Sequence, residues 1–158
     1  MDSQETRLTI SVIIVTFNRA DMLAETLSSL TAQLRIPEEV IVVDNNSTDT
    51  TKQVVESFSG RMNNIRYIFE GIQGTSTARN TGIKNASGDI IAFIDDDCLA
   101  QKEWLHYLER PFLRDHSIGV VGGEILGFRV KGTLIEDYCI ADGMLQVGGL
   151  CPKKGSGA

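Results

Sequence analysis

Three adjacent carboxylates, Asp95, Asp96 and Asp97, follow directly on the apolar run IIAFI at residues 90–94. Like charges about 5 Å apart repel by roughly 3 kcal/mol per pair at an effective dielectric near 20. Such a cluster persists only where a cation, hydrogen-bond donors or water absorb the charge. If the chain stays extended, Asp95 and Asp97 point to one side and Asp96 to the other. Two carboxylates on one side make a hard oxygen site suited to Mg²⁺ or Mn²⁺, with positions left for water and phosphate oxygens. The plainer alternative is a solvated turn in which Asp97 caps the next helix.

Asp44 closes the run VIVV at 40–43. A carboxylate there can accept hydrogen bonds from ribose hydroxyls or a base N–H. It can equally form an Asx-turn within DNNSTD, where Ser47 and Asp49 have turn chemistry. Arg79 offers a charged donor to a base or phosphate, or else a surface ion pair. The loop VTFNRAD lacks glycine, so neither a dinucleotide fingerprint nor a P-loop follows the first apolar run. A diphosphate bound here would need a divalent ion on the aspartates. His106 and His116 have no ligand spacing and read as surface residues, Cys98 as a packed thiol, and Trp104 as core or cleft wall.

The elements that must hold these groups alternate. SVIIV (11–15), VIVV (40–43), IRYIF (65–69) and IIAFI (90–94) read as strands, and IGVVGGEILGF (118–128) returns as another. Asn18 is expected to cap a helix burying Leu23, Leu27, Leu30 and Leu34. Ser47 and Thr48 offer caps for a helix with Val54, Val55 and Phe58. A third helix would turn Ala78, Gly82, Ile83 and Ala86 inward and stop at Gly88. A fourth, around Lys102 to Glu109, buries Trp104, Leu105 and Leu108 before Pro111 ends it. This alternation predicts an α/β fold, a mainly parallel sheet with helices on both faces. Uninterrupted apolar strands, buried on both sides, fit that arrangement. Ligands of such sheets bind at the carboxyl ends of the strands, where TFN, DNNSTD, EGIQGTS and DDDC gather.

With 158 residues, 42% of them apolar and 23% charged, the chain matches one soluble domain. Its net charge of −6 gives no bulk attraction for nucleic acid. No apolar run spans a bilayer and the start has no secretory-signal pattern. Three cysteines without C-x-x-C pairs favour reduced thiols and a cytoplasmic setting. Peripheral attachment at the cytoplasmic face of a membrane, through a partner or further segment, stays open.

Taken in order, SVIIVTFNR, VIVVDNNSTD, STARNTGI and IIAFIDDDC followed by Trp104 resemble the family 2 glycosyltransferases, which have the GT-A fold, a Rossmann-like nucleotide-diphospho-sugar transferase fold. Each stretch alone is weak; four in this order and spacing are specific. The resemblance covers nearly the whole chain and implies one domain, residues 1–158, that binds a nucleoside diphosphate sugar and Mg²⁺ or Mn²⁺. It implies that Thr16, Phe17 and Asn18 form a wall against the base, that Asp44 and Asn45 read base and ribose edges, and that Arg79 contacts base or diphosphate. The three aspartates match the family's D-x-D element. Asp97 and Asp95 would be the metal ligands, with Asp95 and Asp96 also serving ribose or metal-bound water. Asn45 stands where many members carry a second aspartate, and an amide donates as well as accepts, so the nucleobase stays open.

The reaction implied is sugar transfer to an acceptor hydroxyl of a glycan, lipid or other molecule, usually with inversion. The family's general base lies in the acceptor half, and none of Glu124, Glu136, Asp137 and Asp142 matches its position. The catalytic base is therefore unknown, expected beyond residue 158, and the chain reads as a donor-binding segment without most of the acceptor half, its activity by itself left open. Two other classes stay in view. A sugar-phosphate nucleotidyltransferase would want a basic glycine-rich loop after the first strand. A non-catalytic metal or nucleotide module, such as a receiver, would want acidic residues there.

Overall fold

The computed structural model describes residues 7–123, together with the backbone of strands at 125–128 and 149–152. Strands and helices alternate as β1 (Ile10–Thr16), α1 (Ala20–Thr31), β2 (Glu39–Asp44), α2 (Thr51–Phe58), β3 (Ile65–Phe69), α3 (Thr75–Asn85) and β4 (Ile90–Phe93). These four strands pair in parallel, in the order β3-β2-β1-β4. Thr16 lies opposite Asp44 at the carboxyl edge, and Ile13 opposite Phe93. The chain first steps from β1 to β2 to β3, then α3 carries it back to the far side of β1. Strand order thus reverses between β1 and β4, and an open α/β sheet leaves its crevice at such a reversal. Beyond it lie β5 (Leu99–Ala100), α4 (Trp104–Arg114), β6 (Ile125–Phe128) and β7 (Gly149–Pro152). The last three strands form a second sheet, β5-β7-β6.

Alternation along β1 and β2 sorts their side chains onto two faces. Val12, Ile14, Val40 and Val42 meet Leu23, Leu27 and Leu30 of α1, Val55 and Phe58 of α2, and Trp104 and Leu105 of α4. Ile13, Ile41 and Val43 meet Ala78 of α3. Each fully buried Ile, Leu or Val contributes about 1.5–3 kcal/mol through area removed from water. Both faces carry helices, as the sequence predicts.

Several elements differ in detail. β4 alternates rather than burying both faces: Ile91 and Phe93 stay 38% and 44% exposed. They lie on the α3 face, but α3 packs over β1 and β2 and leaves this edge strand uncovered. Asn18 does not cap α1. It sits at φ 50°, and α1 begins after Arg19. Asp49 supplies the carboxylate instead, accepting from Ala20 N at 3.0 Å and Thr51 N at 3.0 Å, so one side chain caps α1 and α2 in place of Ser47 and Thr48. α1 ends before Leu34, which is 70% exposed, and Ile83 is 42% exposed on the outer side of α3.

Gly88 follows α3 rather than stopping it. A Cβ there would lie 2.7 Å from Ser11 N, so the glycine permits a close backbone approach to β1. Pro111 lies inside α4 instead of ending it; the missing N–H affects only the carbonyl of Tyr107, on a partly exposed turn. Residues 118–123 are not strand, and only Ile125–Phe128 of that run is. Glu124, Glu136, Asp137, Asp142 and Cys139 lie outside the described residues. No helix among the described residues is long and apolar enough to cross a membrane.

At the opposite edge of the sheet from the crevice, buried Glu39 ties three elements together. Its carboxylate accepts from Ser11 Oγ (2.7 Å), from Ser87 N (2.6 Å) and Oγ (2.8 Å), and from Arg66 Nη1 (2.8 Å). Burial opposes its charge, but these donors outweigh burial and bring its pKa down to about 2. A carboxylate depressed in the folded state adds stability that is present above its unfolded pKa and lost as pH falls through the folded one. Glu39→Gln is expected to cost about 2 kcal/mol at pH 6, after discounting for half-exposed Arg66. The gap between the two proteins narrows from pH 4.5 toward about 2. Urea unfolding of both at pH 6 and pH 3 measures it.

Candidate functional site

A cleft of about 550 Å³ opens where β1 and β4 end, lined by Thr16, Phe17, Asn18 and Arg19 on one side and Asp95, Asp96 and Asp97 on the other, with Asn45 and Thr75. The loop after β1 is held by the loop after β2. Asn18 N donates to Ser47 Oγ at 2.9 Å, and Asn18 Oδ1 accepts from Thr48 N at 2.7 Å. The left-handed backbone of Asn18 turns the chain sharply into α1 and leaves Phe17 45% exposed over the cleft. Thr16 is buried, and its hydroxyl has no hydrogen-bond partner of good geometry among the described residues.

The aspartates form a turn rather than a continued strand, closed by Cys98 N donating to Asp95 O at 3.1 Å. Asp96 is the inward member, 6% exposed, and its backbone carbonyl accepts from Thr26 Oγ1 of α1 at 2.9 Å. Asp95 is 60% exposed and Asp97 15%. One ligand atom each of Asp95, Asp97 and Cys98 lie within 4.8 Å of one another. Asp95 and Asp97 converge through this turn, not through the strand alternation expected of an extended chain, and Asp96 sits deeper in the same cleft. The helix-capping alternative for Asp97 does not occur, because α4 starts after Glu103.

Two cations answer the charge of the turn. Arg19 Nη1 reaches Asp96 Oδ1 at 2.9 Å and Asp97 Oδ2 at 3.2 Å. Arg79, on α3, reaches Asp95 Oδ1 at 3.4 Å across an exposed gap. Burial pushes the Asp96 carboxyl above its ordinary range, against the pull of Thr16 and Arg19. Burial also works against the Arg19 charge, but the Asp96 carboxylate outweighs it and holds the guanidinium above its usual pKa. Sequence reading gave Arg19 no role. A carboxylate triplet invites a nearby cation and the loop VTFNRAD holds one, but only the β1–β4 pairing makes the two neighbours.

Asp44 and Asn45 are already engaged. Asp44 is buried, accepting from Ser47 N (2.9 Å) and from the Tyr67 hydroxyl (2.7 Å). Burial and the Asp44 hydrogen bond both raise the Tyr67 pKa, so the phenol stays a donor. Asn45 Nδ2 donates to Glu70 O (3.2 Å) and Ile72 O (2.8 Å), while its Oδ1 accepts from Gly74 N (2.8 Å). This pattern fixes the amide orientation and pins residues 70–74, which lead into α3. Asn45→Asp would lose both donors and set a carboxylate against two carbonyls. It is expected to destabilise the fold by about 2–3 kcal/mol, read by chemical denaturation at neutral pH.

Residues 11–136 match the family model for glycosyl transferase family 2. Glycosyltransferase AglE of Haloferax volcanii is 38% identical over 135 residues, which cover 82% of this chain and 43% of that protein. The crystal structure of S. aureus TarS 1–349 in complex with UDP-GlcNAc superimposes with a TM-score of 0.67 at 31% identity, covering 80% of this chain and 37% of TarS. The mannosyltransferase PcManGT from Pyrobaculum calidifontis, solved with GDP-Man and Mn²⁺, gives a TM-score of 0.64 at 26% identity, covering 78% of this chain and 36% of PcManGT. The chain spans less than half the length of each of these proteins. Its fold is the one expected from the GT-A resemblance, and the chain belongs to glycosyl transferase family 2.

Proposed function

We propose that this chain binds the donor of a divalent-metal-dependent, inverting glycosyltransferase that moves a sugar from a nucleoside diphosphate to an acceptor hydroxyl. The single observation that carries the reading is the pairing at the β1/β4 reversal. An oxygen-rich aspartate turn faces a glycine-free loop that has no cradle for phosphate. The donor set suits the metal: carboxylate oxygens of Asp97 and Asp95 within 4.8 Å of one another are hard ligands matched to Mg²⁺ or Mn²⁺. When bound there, such an ion supplies Lewis-acid neutralisation of charge on the departing diphosphate.

The remaining roles belong to side chains. Exposed Phe17 offers a flat wall beside the base, with Thr16 and Asn18 fixing its position. Asn45 lines the cleft with one Oδ1 lone pair left for base or ribose, and the Asp44–Tyr67 pair braces the strand end beside it. Arg79 can leave Asp95 for a phosphate oxygen, a small change for an exposed ion pair. The odd number of cysteines, none in C-x-x-C spacing, supports a cytoplasmic setting. Kinship to proteins solved with UDP-GlcNAc and with GDP-Man and Mn²⁺ supports the donor class and the metal.

Titration of the chain with UDP, GDP and dTDP, with and without Mn²⁺, tests the reading. Binding that requires the ion is expected. Equal affinity with and without Mn²⁺ would overturn the metal-dependent part, and no binding of any of the three would overturn the donor assignment.

A further inference from the structure

Arg19 stands where a bound divalent ion would feel it most. One nitrogen, Nη1, serves both Asp96 and Asp97, at 2.9 and 3.2 Å. Arg19 precedes α1, and Thr26 of the same helix holds the Asp96 carbonyl. The aspartate turn is therefore held by Thr26 of α1 and by the residue just before that helix, Arg19. The ion pair with Asp96 is the shorter and the more buried of the two, so Asp97 is the carboxylate Arg19 can share or release at less cost.

Resting on the donor-binding reading, we propose that Arg19 is a positioning residue that makes metal and nucleotide binding interdependent. Before donor binding it neutralises Asp97 and keeps that carboxylate aimed into the cleft. Its fixed positive charge also repels a bare divalent ion a few ångströms away. A diphosphate arriving with the ion reverses the balance. Its negative charge is attracted by both cations, and the guanidinium offers N–H donors of the kind that recognise phosphate oxygens. Arg19 thus disfavours the metal alone and favours the metal–diphosphate pair. The coupling is reciprocal, so the nucleotide also binds weakly without the ion.

The test measures Mn²⁺ binding directly, by electron paramagnetic resonance of free Mn²⁺, with and without UDP or GDP. It uses the wild-type chain, Arg19→Gln and Arg19→Lys, each checked for folding by circular dichroism. Arg19→Gln is expected to bind bare Mn²⁺ on the order of 10-fold more tightly and to bind it with nucleotide on the order of 10-fold more weakly. Arg19→Lys keeps the charge and is expected to hold bare Mn²⁺ near the wild-type affinity. Unchanged or weaker binding of bare Mn²⁺ by folded Arg19→Gln overturns the proposal. Should that protein not fold, Arg19→Ala removes the same charge and is read in the same way. A wild-type chain that takes up no Mn²⁺ even with nucleotide overturns the metal-dependent part of the donor-binding reading and this proposal with it, whereas coupled wild-type binding left intact by Arg19→Gln overturns the role of Arg19 alone.

Discussion

Asp97→Asn is expected to weaken Mn²⁺-dependent nucleotide binding by about 100-fold or more, because losing a metal ligand should cost at least as much as losing the groups that orient one. Asparagine keeps the size of the side chain but removes its charge, and one of its terminal atoms becomes an N–H₂ unable to ligate a cation. The site has little to compensate. Asp96 is turned inward, and Asp95 is 60% exposed and shared with Arg79. Asp97, at 15% exposure, is the more buried of the two converging carboxylates. Asp95→Asn is accordingly expected to cost less, about 10-fold. Calorimetric titration of UDP and GDP with Mn²⁺ ranks the two variants. Equal losses would mean that both carboxylates ligate alike, and an unaffected Asp97→Asn would place the ion elsewhere. The fold should tolerate Asp97→Asn, since Arg19 keeps its stronger bond to Asp96.

The features legible in the sequence were those set by periodicity and by charge. Four apolar runs gave the four parallel strands, of which β1 and β2 are buried on both faces and leave no polar position to hide. The aspartate turn was legible because three like charges at a strand end demand an explanation. The misplaced details are ones in which a local rule met a distant partner. Asn18 has an N-cap side chain, yet Thr48 takes its oxygen and Asp49, 29 residues from Ala20, caps α1. Asn45 resembled a ligand-reading position, yet its amide is occupied by backbone 25 to 29 residues away. Ile91 and Phe93 were expected inside, and nothing in IIAFI reveals that β4 borders the four-stranded sheet with α3 resting on other strands. Arg19 was overlooked for the same reason, since pairing across 77 residues is invisible until topology brings β1 beside β4.

Topology also decides the sign of the last expected result. Replacing a helical glycine with alanine normally stabilises a helix by roughly 1 kcal/mol, and Gly82 lies inside α3. Here the added Cβ would fall 2.6 Å from Cγ2 of Ile13 and 3.4 Å from Cγ2 of Val43. Both neighbours are fully buried strand residues, and the methyl of a β-branched side chain in a packed sheet has few ways to yield. Overpacking of this kind typically costs about 1–3 kcal/mol, enough to outweigh the gain in helix propensity. Gly82→Ala is therefore expected to lower unfolding free energy by about 1–2 kcal/mol, and Gly82→Val by more. The consequence reaches the cleft, because α3 carries Thr75 at its start and Arg79 one turn before Gly82. Lifting the helix from the sheet would lengthen an Arg79–Asp95 contact that is already 3.4 Å. Urea denaturation measures the first effect, and nucleotide affinity in the folded alanine variant measures the second. A Gly82→Ala chain more stable than wild type would mean that Ile13 yields without cost, and that α3 is free to sit closer to the sheet than its packing implies.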